Sequence, residues 1–176
     1  MDDQLKYPIG RFKRPTGPLD SAERTKLIDA LAASPKQLAD AVRGLNEKQL
    51  DTPYRPGGWS VRQVVHHVPD SHLNAYTRVK LALTEDNPTI KPYDENAWAN
   101  LVDSKVTPVE VSLTLNTALH DRFVRLLRTL TPQDCARTMN HPEHGPITID
   151  FIIALYGWHG PHHVAHITSL RKREGW

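Results

Sequence analysis

The chain has 176 residues, a net charge of +2 with histidine neutral, and a single cysteine, Cys135. That length suits one domain, residues 1–176, with its own core. One cysteine excludes an internal disulfide, and no run approaches the ~20 apolar residues of a bilayer span.

The like-charge cluster RKRE near the C-terminus reads as a solvated helix end, so no nucleic-acid or membrane partner is expected. MDDQLKYPIG starts acidic and carries no secretory pattern, so a cytoplasmic protein is expected. Pro8, Gly10, Pro15, Gly17 and Pro18 make residues 1–18 an extended arm laid over the domain. Asp20 and Glu23 form the ends of a capping box. Leu27, Ile28, Leu31, Leu38, Ala41, Val42 and Leu45 then follow at helical spacing, with Pro35 expected to break or kink the helix.

DTPYRPGG is a loop by its Pro and Gly content. A second box, Ser60 to Gln63, opens a helix from Val61 to about Leu83. EDNPTIKPYDE is a connection, with a short helix near Glu95–Leu101. Thr107 as cap, Pro108 at the first helical position and Glu110 open a third long helix. It carries Val111, Leu115, Leu119, Phe123, Leu126 and Leu130 and stops before Pro132. NHPEHGPIT reads as a loop, and Thr148 caps a fourth long helix to about Arg173. No segment forms a strand ladder. The fold class expected is therefore all-α, a four-helix bundle, an architecture that builds sites from side chains on facing helices.

The last helix contains WHGPHHVAHI, with His159, His162, His163 and His166. On a helical wheel, Ile152, Leu155, Tyr156, Ile167 and Leu170 define the core face. His159 and His163 fall near its centre, His166 close by, and His162 at the edge. A single inward histidine is more often a hydrogen-bonded core residue than a ligand. Several on one buried stripe would each cost about 1–3 kcal/mol if left without partners. One ion satisfies them together, and the i, i+4 spacing is that of helical zinc motifs.

A third ligand must come from elsewhere. VVHHVPDSHLN offers His66, His67 and His72. Val61, Val64, Val68, Ala75 and Val79 mark the core face of that helix. His67 lies at its boundary, on a polar stripe with Ser60, Gln63, Asp70, Ser71, Asn74 and Arg78 that would otherwise face solvent. His72 points more nearly to the core. Periodicity leaves the choice open.

KYPIG, LDTPYRPGGWSVRQVVHH, DSHLNAY, KPYDENAW and WHGPHHVAHI together resemble the DinB superfamily of metal-binding four-helix bundles, and within it the YfiT group of metal-dependent hydrolases. The resemblance spans nearly the whole chain. It implies that His67, before Val68, is the first ligand and that His159 and His163 are the other two. It further implies one divalent ion, Zn2+ or Ni2+, with water in the remaining positions, and a homodimer. Pro69 and Pro161 depart from an ordinary helix near these ligands, crowding the carbonyls of Val65 and Gly157. Gly157 and Gly160 are expected to ease the second distortion.

An ion on three neutral imidazoles keeps its charge and lowers the pKa of its water towards ~7. Hydrolysis of a small electrophilic substrate is the expected reaction. The alternative is a thiol S-transferase that uses a low-molecular-weight thiol as its partner, which needs a second pocket that the sequence does not reveal. A third possibility is a non-catalytic dimer whose ion is structural, closed by a fourth ligand such as His166. Asp70, three residues after His67, is the candidate general base or orienting acceptor. Asn74 and Arg78 extend its stripe towards a polar substrate. His162 and His166 are expected to orient ligands or move protons. His141 and His144 are expected to be loop residues without a role, and Cys135 a helix-start or packing residue.

Overall fold

Asp20, Ser60 and Thr148 stand in extended backbone, and each side chain accepts a hydrogen bond from the amide three residues on, at Glu23, Gln63 and Phe151. These bonds satisfy donors that a first helical turn leaves unpaired. At Ser60 the box closes, because Gln63 Oε1 accepts from the Ser60 amide at 2.9 Å. The computed structural model describes residues 2–143 and 145–176, and His144 lies outside the described residues.

In chain order the elements are α1 (Asp2–Lys6), α2 (Ser21–Val42), α3 (Glu47–Leu50), α4 (Val61–Thr84), α5 (Glu95–Ala99), α6 (Asp103–Val106), α7 (Val109–Arg128), α8 (Pro132–Cys135), β1 (Thr138–His141), β2 (Gly145–Thr148) and α9 (Ile149–Glu174). Each long helix packs on two others, in the cyclic order α2, α9, α4, α7. The all-α four-helix bundle expected from the sequence is the fold observed, with one small hairpin added.

Several local expectations are corrected. The arm is not extended throughout, since α1 is helical and docks on α9. Pro108, not Thr107, is the N-cap residue of α7 and makes no side-chain cap. The Thr107 carbonyl instead accepts from Arg62 at 3.3 Å and from His66 Nε2 at 3.1 Å. Pro35 lies inside a continuous α2 rather than breaking it, and α4 and α9 run through Pro69 and Pro161 as the expected helix bounds required. A mid-helix proline costs about 3 kcal/mol. Packing on both sides of each proline offsets it, as with Leu31 and Leu38 around Pro35, both fully buried.

NHPEHGPIT contributes to a hairpin rather than to a plain loop. β1 and β2 pair antiparallel, with Met139 opposite Ile147, and both side chains are buried in the core. The connection from α4 runs beside them, since Ile90 donates to the Asn140 carbonyl and the Asn140 amide donates to that of Pro88.

The core has two apolar parts. One gathers Ile28, Leu31, Ala75, Val79, Phe123, Leu127, Met139, Ile147, Ile152 and Tyr156. The other gathers Leu38, Val42, Val61, Val64, Val65, Val68, Val109, Ile167 and Leu170. On every long helix the residues between the two parts include buried polar ones: Ser34 on α2, Ser71 and His72 on α4, Ser112 and Asn116 on α7, His162, His163 and His166 on α9. A polar layer thus crosses the bundle between two apolar ones. α2 and α9 approach closely there because Gly157 and Gly160 carry no side chain. A Cβ at Gly157 would lie 2.8 Å from Leu27 Cδ2, and one at Gly160 would collide with the Ser34 hydroxyl.

Candidate metal centre

α4 supplies His67 to this layer, and α9 supplies His159 and His163 from successive turns. His67 Nε2 lies 3.4 Å from His159 Nε2, and His163 Nε2 lies 3.2 Å from it. The three histidines each offer one ligand atom within 4.8 Å of the others. Bonds of about 2.0–2.1 Å at a tetrahedral angle place two zinc-bound nitrogens about 3.3 Å apart. The two spacings to His159 therefore match those of ligands on one small divalent ion.

The charge state fits as well. Burial, with neighbouring imidazoles adding to it, lowers the pKa of His67 to about 3 and holds His159 and His163 well below the ordinary value. All three are neutral at pH 7, the form that binds metals. A hydrogen bond between two imidazole nitrogens uses one proton, so three Nε2 atoms facing one another are better satisfied by a shared cation than by each other.

The structure separates the three candidates on α4. His66 turns away, with Nδ1 2.7 Å from Ser112 Oγ and Nε2 on the Thr107 carbonyl, so both its nitrogens are used in packing. His72 is fully buried, and its Nε2 lies 3.1 Å from Nδ1 of His159, behind the triad. His67 is the one that meets the α9 pair.

The triad opens on a cleft of about 610 Å³ lined also by Lys6, Tyr7, Tyr54, Arg55, Trp59, Ser71, Glu95, His162 and His166. The Trp59 ring lies 4.6 Å from that of His67 and shields it. His166 stacks on Tyr54 at 4.0 Å and bonds the Lys6 carbonyl through Nε2, tying the arm to α9. His162 stacks on Trp158 at 4.2 Å. Both therefore form the wall of the cleft, and neither joins the triad. A second cavity of about 390 Å³ is lined by Phe12, Tyr93, Phe151, Leu155 and Tyr156 with Arg14, Arg78 and His141, and shares Ser71, Glu95 and His159 with the first.

Asp70 lines neither cavity. Three residues past His67 is a rotation of about 300° on a helix, whereas Ser71, four past, returns to the cleft face. Burial, with Asp103 as the nearby like charge, raises the Asp70 pKa to about 6. Asn74 bonds back to the Asp70 carbonyl, and Arg78 reaches the Lys91 carbonyl and the second cavity. Cys135 is buried in the core, and burial raises its thiol pKa, as suits a packing residue. Tyr7, Tyr54, Trp59 and Glu95 were not singled out by periodicity. They lie within KYPIG, TPYRPGGW and KPYDENAW, where a tryptophan or tyrosine amid Pro and Gly marks an ordered loop.

Relatives share this architecture. A Bacillus mycoides (strain KBAB4) protein named "Putative metal-dependent hydrolase" is 55% identical over 172 residues, covering 98% of each chain. A Bacillus cereus (strain B4264) protein of the same description is 55% identical over 178 residues, covering both chains fully. The solved structure of YfiT from Bacillus subtilis, described as "a probable metal-dependent hydrolase with an unusual four-helix bundle topology", superposes with a TM-score of 0.95 at 49% identity, covering 98% of this chain and 99% of that one. TT2238, a four-helix bundle protein, shares the fold at a TM-score of 0.55 and 20% identity, over 87% of this chain and 99% of that one. The family model of the DinB superfamily matches residues 30–167, and with relatives of this similarity over its full length the chain belongs to the DinB superfamily, in the YfiT group.

Proposed function

We propose that this protein is a metal-dependent hydrolase acting on a small electrophilic substrate. The observation that carries the proposal is the convergence of three neutral imidazole nitrogens at ligand spacing on the wall of an open cleft. His67, His159 and His163 would hold one divalent ion, Zn2+ or Ni2+, which when bound supplies a Lewis acid that brings the ionisation of water towards neutral pH. Trp59 excludes bulk water from the His67 side. Glu95, at the junction of the two cavities, is the carboxylate placed to accept a proton, and takes the role that sequence spacing gave to Asp70. Lys6 and Arg55 present cations at the cleft wall for an anionic part of the substrate. The names of the relatives support the reaction class.

A second reaction is favoured by one specific observation. The 390 Å³ cavity meets the first at Ser71, Glu95 and His159, so two small molecules could lie on either side of the triad. That suits transfer of a low-molecular-weight thiol to an electrophile. A purely structural ion is disfavoured, because closed sites take four protein ligands and three histidines converge here among the described residues. We further propose a homodimer. The large apolar side chains exposed at Leu101, Val102, Val106, Val111 and Leu115 support it, and light scattering that gave a monomer would contradict it. No helix among the described residues is long and apolar enough to cross a membrane.

The test offers zinc- or nickel-loaded protein a panel of esters and amides, then an electrophile with several low-molecular-weight thiols. Metal-dependent product formation without a thiol supports hydrolysis. Product formed only when a thiol is present replaces hydrolysis with thiol transfer.

A further inference from the structure

His72 is fully buried between the two apolar parts of the core. Its ring stacks on His120 with centroids 4.7 Å apart and meets Tyr156 edge-on at 4.9 Å. His120 is itself fixed, with Nδ1 2.8 Å from the Leu31 carbonyl. The carbonyl can only accept, so His120 carries its proton on Nδ1 and leaves Nε2 as an acceptor.

The same logic assigns the protons nearer the triad. His159 turns Nε2 to His67 and His163 and Nδ1 to His72. With Nε2 given to an ion, a neutral His159 holds its proton on Nδ1 and donates it to His72 Nε2 over 3.1 Å. The proton of His72 then lies on its own Nδ1.

The surroundings are costly. Ser34 Oγ, His72 Nδ1, both amide atoms of Asn116 and His120 Nε2 are all buried without a protein hydrogen-bond partner. They come from α2, α4 and α7. Each buried polar atom of this kind calls for a physical reason. Donors and acceptors are both present, as ordered water requires. An apolar residue at position 72 would remove one of these costs, and would also remove the acceptor that His159 faces.

We propose that His72 is a positioning residue for the metal ligand His159, accepting the Nδ1 proton so that Nε2 is held towards the ion. This rests on the proposed triad. An outer partner of this kind sets the tautomer and ring orientation of a ligating histidine, and its loss typically costs 10–100-fold in metal affinity.

The test compares wild type, His72→Leu, His72→Gln and His67→Ala. Zinc affinity is measured by competition with a chromophoric chelator, and the His159 tautomer in zinc-loaded wild type by long-range proton–nitrogen NMR. The expected result is zinc bound at Nε2 and a proton retained on Nδ1 of His159. His72→Leu should bind zinc about 10–100-fold more weakly, and His72→Gln, whose amide oxygen can replace the acceptor, should recover most of the affinity. Wild-type affinity in a folded His72→Leu, with His67→Ala impaired, would overturn the role of His72 and leave the triad standing. Zinc at Nδ1 of His159 would overturn it as well, and that measurement needs no variant. Undiminished zinc binding by His67→Ala would overturn both the triad and this inference.

Discussion

His67 Nε2 and His159 Nε2 stand 3.4 Å apart although 92 residues separate them in sequence. Two neutral imidazoles at that distance, with a third 3.2 Å from the second, form a site whose members gain more from a shared cation than from one another. Folding therefore prepares the site, and the ion should stabilise the folded chain in return.

Zinc at about 100 times its Kd should raise the unfolding free energy by about 2.7 kcal/mol, read as a rise in Tm by calorimetry. His159→Ala should show no such rise. An equal rise in that variant would place the bound ion elsewhere.

Acid should weaken the metal-free protein. His66, His72, His120, His162 and His166, like the triad, have pKa values lowered by burial, that of His162 to about 4. An unfolded histidine titrates near ~6.5. Below that pH the unfolded chain binds protons that the folded chain refuses, so their contribution is complete above ~6.5 and falls as pH falls towards the folded values. Asp70 acts oppositely, because its pKa is raised to about 6 and its ionisation costs stability as pH rises through that value. One carboxyl opposes many histidines, so the urea midpoint should decline steadily below pH ~6.5. A midpoint unchanged down to pH 5 would contradict this.

α2 and the last helix are joined by an ion pair. Arg24 Nε lies 2.8 Å from Asp150 Oδ1, with both side chains largely buried, and Asp150 Oδ2 also accepts from the Leu19 amide at 3.0 Å. Arg24→Ala leaves a buried carboxylate without its cation and should cost about 3–5 kcal/mol by denaturant titration. A loss under about 1 kcal/mol, the range of exposed pairs, would show that water takes the place of Arg24.

Gly157→Ala should destabilise by about 1–3 kcal/mol, because the new methyl meets both the side chain and the carbonyl of Leu27. Gly17→Ala, with open space around it and ordinary backbone, is the control. It should be neutral or slightly stabilising. Equal effects of the two would argue against close α2–α9 contact.

Much of this architecture is legible in the residues. The caps at Asp20, Ser60 and Thr148, and the inward placement of His159 and His163, follow from spacing alone. His67 does not, since its stripe is polar and only the resemblance selects it. On α7 the apolar pattern misleads: Val111 and Leu115 are 56% and 45% exposed, while Ser112, Asn116 and His120 are buried. A wheel that seeks a uniformly apolar face fails where a polar layer crosses the core. The hairpin escapes notice because its strands have four residues each and β2 begins Gly145–Pro146, too short for alternation to show. Pro35 misleads in the other direction, because local breakage is outweighed by packing that only the assembled bundle supplies.

The central claim is that His67, His159 and His163 hold one divalent ion. The most direct measurement is elemental analysis of protein purified without chelator, for wild type and for the His159→Ala/His163→Ala double variant. The account predicts about one zinc or nickel ion per chain in the wild type and loss of that ion in the double variant. Stoichiometric metal retained by the double variant would contradict it.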